Sequence, residues 1–166
     1  MSDQLVVSDT SPLQYLHQVG YLHLLPALFG RVLVPPIVAA ELGVGLQRGI
    51  DLPVLAVLPW VVQQAPTAPP TFPGSATLDP GEREAIALAL ALELHCRILI
   101  DEWDGRRIAR NLGLSHTGTL GVLVAGKRHG LVPTVAPVLD RLVAGGYRMD
   151  MAVRIEALRR AGEVSP

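Results

Sequence analysis

Four carboxylates stand out in this 166-residue chain because their neighbours are apolar. Asp9 is the only Asp, Glu, Lys or Arg from residue 4 to residue 30, and Glu41 is the only one between Arg31 and Arg48. Glu84 precedes an all-apolar helical segment, and Asp101 ends the apolar run Ile98-Leu99-Ile100. Burying an unpaired carboxylate is costly, so each of these acids needs a partner or a ligand. Taken singly, Asp9 and Asp101 could each cap the helix that follows, and Glu41 could pair with Arg31 or Arg48. Taken together, four carboxylates at the ends of buried elements repel one another unless a cation lies between them. A set of oxygen ligands suits the hard ions Mg²⁺ and Mn²⁺. Ions held in this way act on phosphates by activating water, polarising the phosphoryl oxygen and stabilising the leaving oxygen.

Two of the four positions have competitors. Glu82 rivals Glu84 for the third place, but Glu82 also has a structural task as the partner of Asp79 in a helix-capping box, so Glu84 is preferred. Asp104 rivals Asp101 for the fourth. Arg106, Arg107 and Arg110 follow Asp101 on one basic segment and can hold flanking phosphates, or form an ordinary solvated face. Cys96 has only His95 beside it, and the five histidines show no ligand spacing, so zinc is not expected.

The elements that must position these acids alternate between strand and helix. Leu5-Val6-Val7 is a short buried strand ending at Asp9, and residues 13–28 read as two short helices broken at Gly20. Arg31 to Val34 is a second strand. Pro35-Pro36 opens a helix from Ile37 to about Val44, ended by Gly43 and Gly45. A short helix is expected between Gln47 and Leu58, and a strand over Trp60–Gln63. Residues 65–80 form a proline-rich loop, which could also serve as a flap over a site. Asp79-Pro80-Gly81-Glu82 opens a central helix, and Arg97–Ile100 is a strand ending at Asp101. Helices are expected over Trp103–Leu112, from Thr117 to His129, from Pro133 to about Ala144, and over Ala152–Ala161. Tyr147-Arg148-Met149 reads as an edge strand. Buried strands alternating with helices predict an α/β domain with a parallel sheet. In such sheets ligands sit at the carboxyl ends of the strands, where Asp9 and Asp101 both fall.

Composition narrows the rest. Hydrophobic residues make up 49% and aromatics 4%, so the core is aliphatic. Charged residues, at 17%, fall below the usual ~25%, which points to apolar surface covered by a partner or a second copy. Net charge is -1, so nucleic-acid binding must rest on a local basic patch. No apolar run approaches the ~18 residues of a membrane span. Met1-Ser2-Asp3 shows no secretory signal, and the single cysteine, Cys96, leaves a reducing cytoplasm as the expected location.

The segments Leu5–Leu13, Val34–Leu42, Leu78–Ala89 and Ile98–Asp101 resemble the PIN domain. The stretch Gly105–Leu114, followed by Thr117–Gly121, resembles a PIN-like branch found beside small antitoxin genes. The resemblance runs from about residue 4 to residue 160. It implies a three-layer α/β/α fold around a mainly parallel sheet, in one domain over residues 1–166. The loop at 65–80 and a C-terminal extension at 146–166 exceed the minimal unit. It further implies a Mg²⁺- or Mn²⁺-dependent ribonuclease, with Asp9, Glu41, Glu84 and Asp101 as the metal-binding acids. Thr10 or Ser11 would position substrate or an acid, and Thr119 would hold a phosphate or an acid. By the same resemblance the chain would be the toxin of a VapBC-like toxin–antitoxin pair, a homodimer silenced by a small antitoxin. The alternatives are a catalytically silent module that binds RNA or protein, and a phosphoacceptor receiver domain. The receiver fits poorly: Asp9 has Ser8 rather than an acid beside it, and the only lysine, Lys127, lies in a helical pattern.

Overall fold

A computed structural model of the chain describes residues 4–92 and 96–164. Met1–Asp3 and His95, which entered the reading of the sequence, lie outside the described residues. In chain order the elements are β1 (Leu5–Ser8), α1 (Thr10–Gln18), α2 (Leu24–Phe29), β2 (Val32–Val34), α3 (Pro36–Gln47), β3 (Val61–Gln63) and α4 (Pro80–Ala91). There follow β4 (Cys96–Leu99), α5 (Trp103–Asn111), β5 (Ser115–Thr117), α6 (Thr119–Arg128), α7 (Ala136–Ala144) and α8 (Met151–Arg160).

The five strands form one sheet in the order β3-β2-β1-β4-β5, with every pairing parallel. Period-two alternation sends neighbouring residues to opposite faces. Val6, Val32, Val34 and Leu99 face one core, built with Leu13, Leu24, Val38, Leu123 and Leu139. Val7, Leu33 and Ile98 face the other, built with Ala85, Ile86, Ala89 and Ile108 of α4 and α5. Helices thus cover both faces, giving the three-layer α/β/α arrangement expected. The central strand, β1, has no polar face to spare: Val6 and Val7 are fully buried. The chain runs outward from β1 through β2 to β3, then returns to the other side of β1 for β4 and β5. The order therefore reverses between β1 and β4, and the crevice of such a sheet lies at the carboxyl ends of those two strands. Among the described residues no helix is long and apolar enough to cross a membrane.

Several local expectations are corrected. Gly43 and Gly45 do not end α3; the helix continues to Gln47 and turns at Gly49, whose φ is 78°. Gly45 faces Leu52 so closely that a Cβ there would overlap the Leu52 side chain, so this glycine serves helix packing rather than helix termination. Tyr147–Met149 is not a strand. The edge next to β4 is instead β5, with Arg97 opposite Ser115 and Leu99 opposite Thr117, and β3 forms the other edge. The proline-rich loop is pinned. Arg83 donates to the carbonyls of Ser75 (3.1 Å) and Leu78 (2.9 Å), and Gly74 lies against Ile108 of α5.

Candidate active site

Three segments converge at the carboxyl end of β1. The first supplies Asp9, whose backbone N–H donates to the Leu99 carbonyl at 3.0 Å and ties the strand end to β4. Asp9 occupies the N-cap position of α1, yet its side chain makes no capping hydrogen bond. Its carboxyl group is buried, 3% exposed. Burial pushes its pKa well above the usual carboxylate range; the Thr10 amide opposes this, while Asp79, Glu82 and Glu41 add repulsion.

The second segment is α3, which brings Glu41. The Thr10 hydroxyl donates to Glu41 Oε2 at 2.6 Å. Among the described residues no ion pair involves Glu41, so neither Arg31 nor Arg48 neutralises it. The third segment is the start of α4. A Cβ on Gly81 would stand 2.8 Å from Glu41 Oε2 and 3.2 Å from Asp9 Oδ1. The bare Cα of Gly81 therefore forms the wall against which both carboxylates rest. Without it the two acids could not share this space.

Glu82 follows directly. The capping box is formed: Asp79 Oδ1 accepts the Glu82 N–H at 2.9 Å, and Glu82 Oε2 accepts the Asp79 N–H at 3.2 Å. The other oxygen, Oε1, is buried with no hydrogen-bond partner among the described residues. Burial first, then Asp79, Glu102 and Asp104, push its pKa up to about 7. One oxygen of Glu82 thus serves the cap while the other is left free of it.

Asp101 lies beyond the end of β4 and is treated quite differently. Its Oδ1 accepts the Thr119 N–H (2.8 Å) and the Tyr147 hydroxyl (3.1 Å), and its Oδ2 accepts the Thr119 hydroxyl (2.7 Å). Burial still raises its pKa, against the pull of these donors and of Arg106. Asp101 does not cap α5; Glu102 takes that position. Gly118 makes room for it, since a Cβ there would lie 2.6 Å from Asp101 Oδ1. Tyr147 is braced edge-on by Tyr15 of α1, with ring centroids 5.0 Å apart.

The remaining sequence candidates divide. Glu84 lies two residues on from Glu82, about 200° around the helix, and is not among the acids that repel Asp9. Asp104 is exposed, accepts from Arg107 at 3.3 Å and adds to the repulsion on Glu82. Thr10 reaches an acid; Ser11, half-buried, makes no side-chain hydrogen bond among the described residues. Thr119 is fully buried and its hydroxyl is taken by Asp101, so it holds an acid rather than a phosphate. Arg106 acts on Asp101 and Tyr147, whereas Arg107 sits over the Trp103 ring, 5.3 Å from its centroid. Arg110 joins Arg106 in acting on His116. Among the described residues no group of three or more His, Cys, Asp or Glu stands close enough together to cage a metal.

Reading the sequence did not single out Gly81, Gly118 or Tyr147. Gly81 and Gly118 each sit one residue from a candidate, which was the available signal. Tyr147 is 46 residues from Asp101 and carried none. A family model described as PIN domain matches residues 5–163 of the chain. No curated protein and no solved structure gave a match.

Proposed function

The chain belongs to the PIN-domain family, whose members have nuclease-type function, and from that premise we propose that it is a metal-dependent endoribonuclease. The observation that carries this reading is the meeting of Asp9 and Glu41 over Gly81. A buried and a half-buried carboxylate from different elements share one space, the Thr10 hydroxyl answers only Glu41, and Glu41 repels Asp9. Their donor set fits Mg²⁺ or Mn²⁺. It is all oxygen, it has no cationic partner among the described residues, and Glu82, whose Oε1 is orphaned, lies near enough to repel Asp9. Mg²⁺ in particular binds through one or two carboxylates and completes its shell with water and substrate phosphate, so a three-acid cage is not required.

In this reading Asp9 and Glu41 hold the ion, and Glu82 takes the third position in preference to Glu84 because it, not Glu84, repels Asp9. When bound, the ion supplies an activated water and offsets charge on the phosphoryl oxygens. Thr10 fixes the orientation of Glu41. Thr119 and Tyr147 fix Asp101 on the other flank of the crevice, and Arg106 faces the same flank. A toxin role in a VapBC-like pair is supported by the motif resemblance around Gly105–Leu114 and Thr117–Gly121. A small antitoxin or a second copy is supported by apolar side chains left in water, among them Val54, Val57 and Met151.

A catalytically silent binding module is favoured by one observation, the lack of three convergent metal-binding side chains among the described residues. Incubation of the purified protein with mixed RNA, with and without Mn²⁺, separates the two. Wild type should cleave only with the ion, and Asp9→Asn should lose at least about 100-fold of that rate. Undiminished cleavage by the variant overturns the assignment of Asp9. RNA binding without cleavage under any divalent ion supports the silent module.

A further inference from the structure

Beyond the ends of β4 and β5 lies a cavity of about 410 Å³ that the acid cluster does not use. Its lining includes Asp101, Tyr147, Arg106 and His116, with Glu156 and Arg160 contributed by α8. Its volume falls in the range of small-ligand sites, and its place outside the carboxyl ends of parallel strands is where such sites occur.

Its charges are unevenly answered. Glu156 is neutralised by Arg159 through two hydrogen bonds of 2.8 and 2.7 Å. Both oxygens of Asp101 are occupied by Thr119 and Tyr147. Among the described residues, however, neither Arg106 nor Arg160 makes an ion pair. Burial first, then Arg106 and Arg110, lower the pKa of the His116 imidazole, and this ring lines the cavity. Two guanidiniums outside any ion pair among the described residues, an imidazole and a phenol ring around one hollow match a ligand with one anionic group and one flat ring.

We propose that this cavity is a nucleotide subsite, in which Arg160 and Arg106 hold a phosphate of single-stranded RNA and the adjacent base lies against His116 and Tyr147. It deepens the ribonuclease reading above, because a nucleotide seated there stands beside Asp101. The C-terminal helix α8 then contributes to substrate binding, through a residue far in sequence from every acid of the site. Arg107, turned toward Trp103, takes no part.

The test measures binding apart from cleavage. Fluorescein-labelled oligouridylate is titrated with the full chain in EDTA at several salt concentrations. Arg160→Ala should weaken binding about three- to tenfold and lower the slope of log K against log[salt] by roughly 0.7, the share of one single-strand phosphate. Arg160→Lys should keep the slope. Arg48→Ala, at the far end of α3, should match wild type. Should Arg160→Ala fail to fold, Val153→Glu places a carboxylate in the partly exposed cavity wall and should weaken binding comparably. Unchanged affinity and slope in these cavity variants, or no binding by wild type, overturns the subsite. Because no metal is present, the result is independent of catalysis: a protein that binds through Arg160 but never cleaves contradicts the nuclease reading alone.

Discussion

The two carboxylate neighbourhoods on either side of the β1–β4 crevice are built on opposite principles. Around Asp101, three donors meet one acid, and both oxygens are satisfied. Around Asp9 the acids are only partly answered: Glu41 receives one hydroxyl, Asp9 receives no side-chain donor among the described residues, and Glu82 leaves one oxygen orphaned. The first arrangement stabilises a fixed acid within the protein. The second leaves like charges close together, so each acid resists ionisation and holds its proton to higher pH; in the proposed reading a bound cation would relieve the same repulsion. The difference separates an acid that is positioned from acids that are held ready.

Substitutions on the two sides should therefore fail in different ways. The largest effect is expected from Gly81→Ala. Its methyl group would meet the carboxylate ends of Glu41 and Asp9 rather than backbone, so the fold should persist while Mn²⁺-dependent RNA cleavage falls about 100-fold. Circular dichroism and a cleavage assay on the same preparation check both halves. An active Gly81→Ala protein would erase the distinction between the two neighbourhoods.

On the Asp101 side the effect should be structural first. Thr119→Val removes a hydroxyl from a half-buried carboxylate and should cost about 1–3 kcal/mol in urea unfolding. Tyr147→Phe removes the longer of the three donors and should cost about 1 kcal/mol, with the Tyr15 packing retained. Equal costs from removing Thr10 and Thr119 hydroxyls would show that the two sides are alike after all.

The gentlest expected effect is a slope. Glu82 is raised from 4.5 to about 7, so between those values the folded chain keeps a proton that the unfolded chain has released. Stability should fall as pH rises through that window, and Asp9, also raised, adds to the fall. Glu82→Gln should flatten the slope in a series of urea titrations from pH 4.5 to 7. A steeper fall in the variant would contradict the burial of this acid.

Much of this arrangement was legible in the sequence, for identifiable reasons. A β-branched run ending in a lone acid placed Asp9 at a strand end, and that strand is the central one. Glu41 was legible because no other charge shares its helix. Glu82 and Glu84 were harder to separate. A capping box looked like a full occupation for Glu82, yet only one of its oxygens serves the cap. β5 was missed because Ser115-His116-Thr117 has no apolar pattern, and its strand character comes from pairing with β4. Gly45 misled because a glycine in a helix reads as a stop, while here it admits Leu52. Tyr147 depends on a contact across 46 residues, which local patterning cannot carry.

Isothermal titration of Mn²⁺ into the metal-free protein tests the contrast most directly. Wild type and Thr119→Val should both bind the ion, whereas Asp9→Asn should lose that binding. Equal binding by wild type and Asp9→Asn would contradict the placement of the cation site at the carboxyl end of β1.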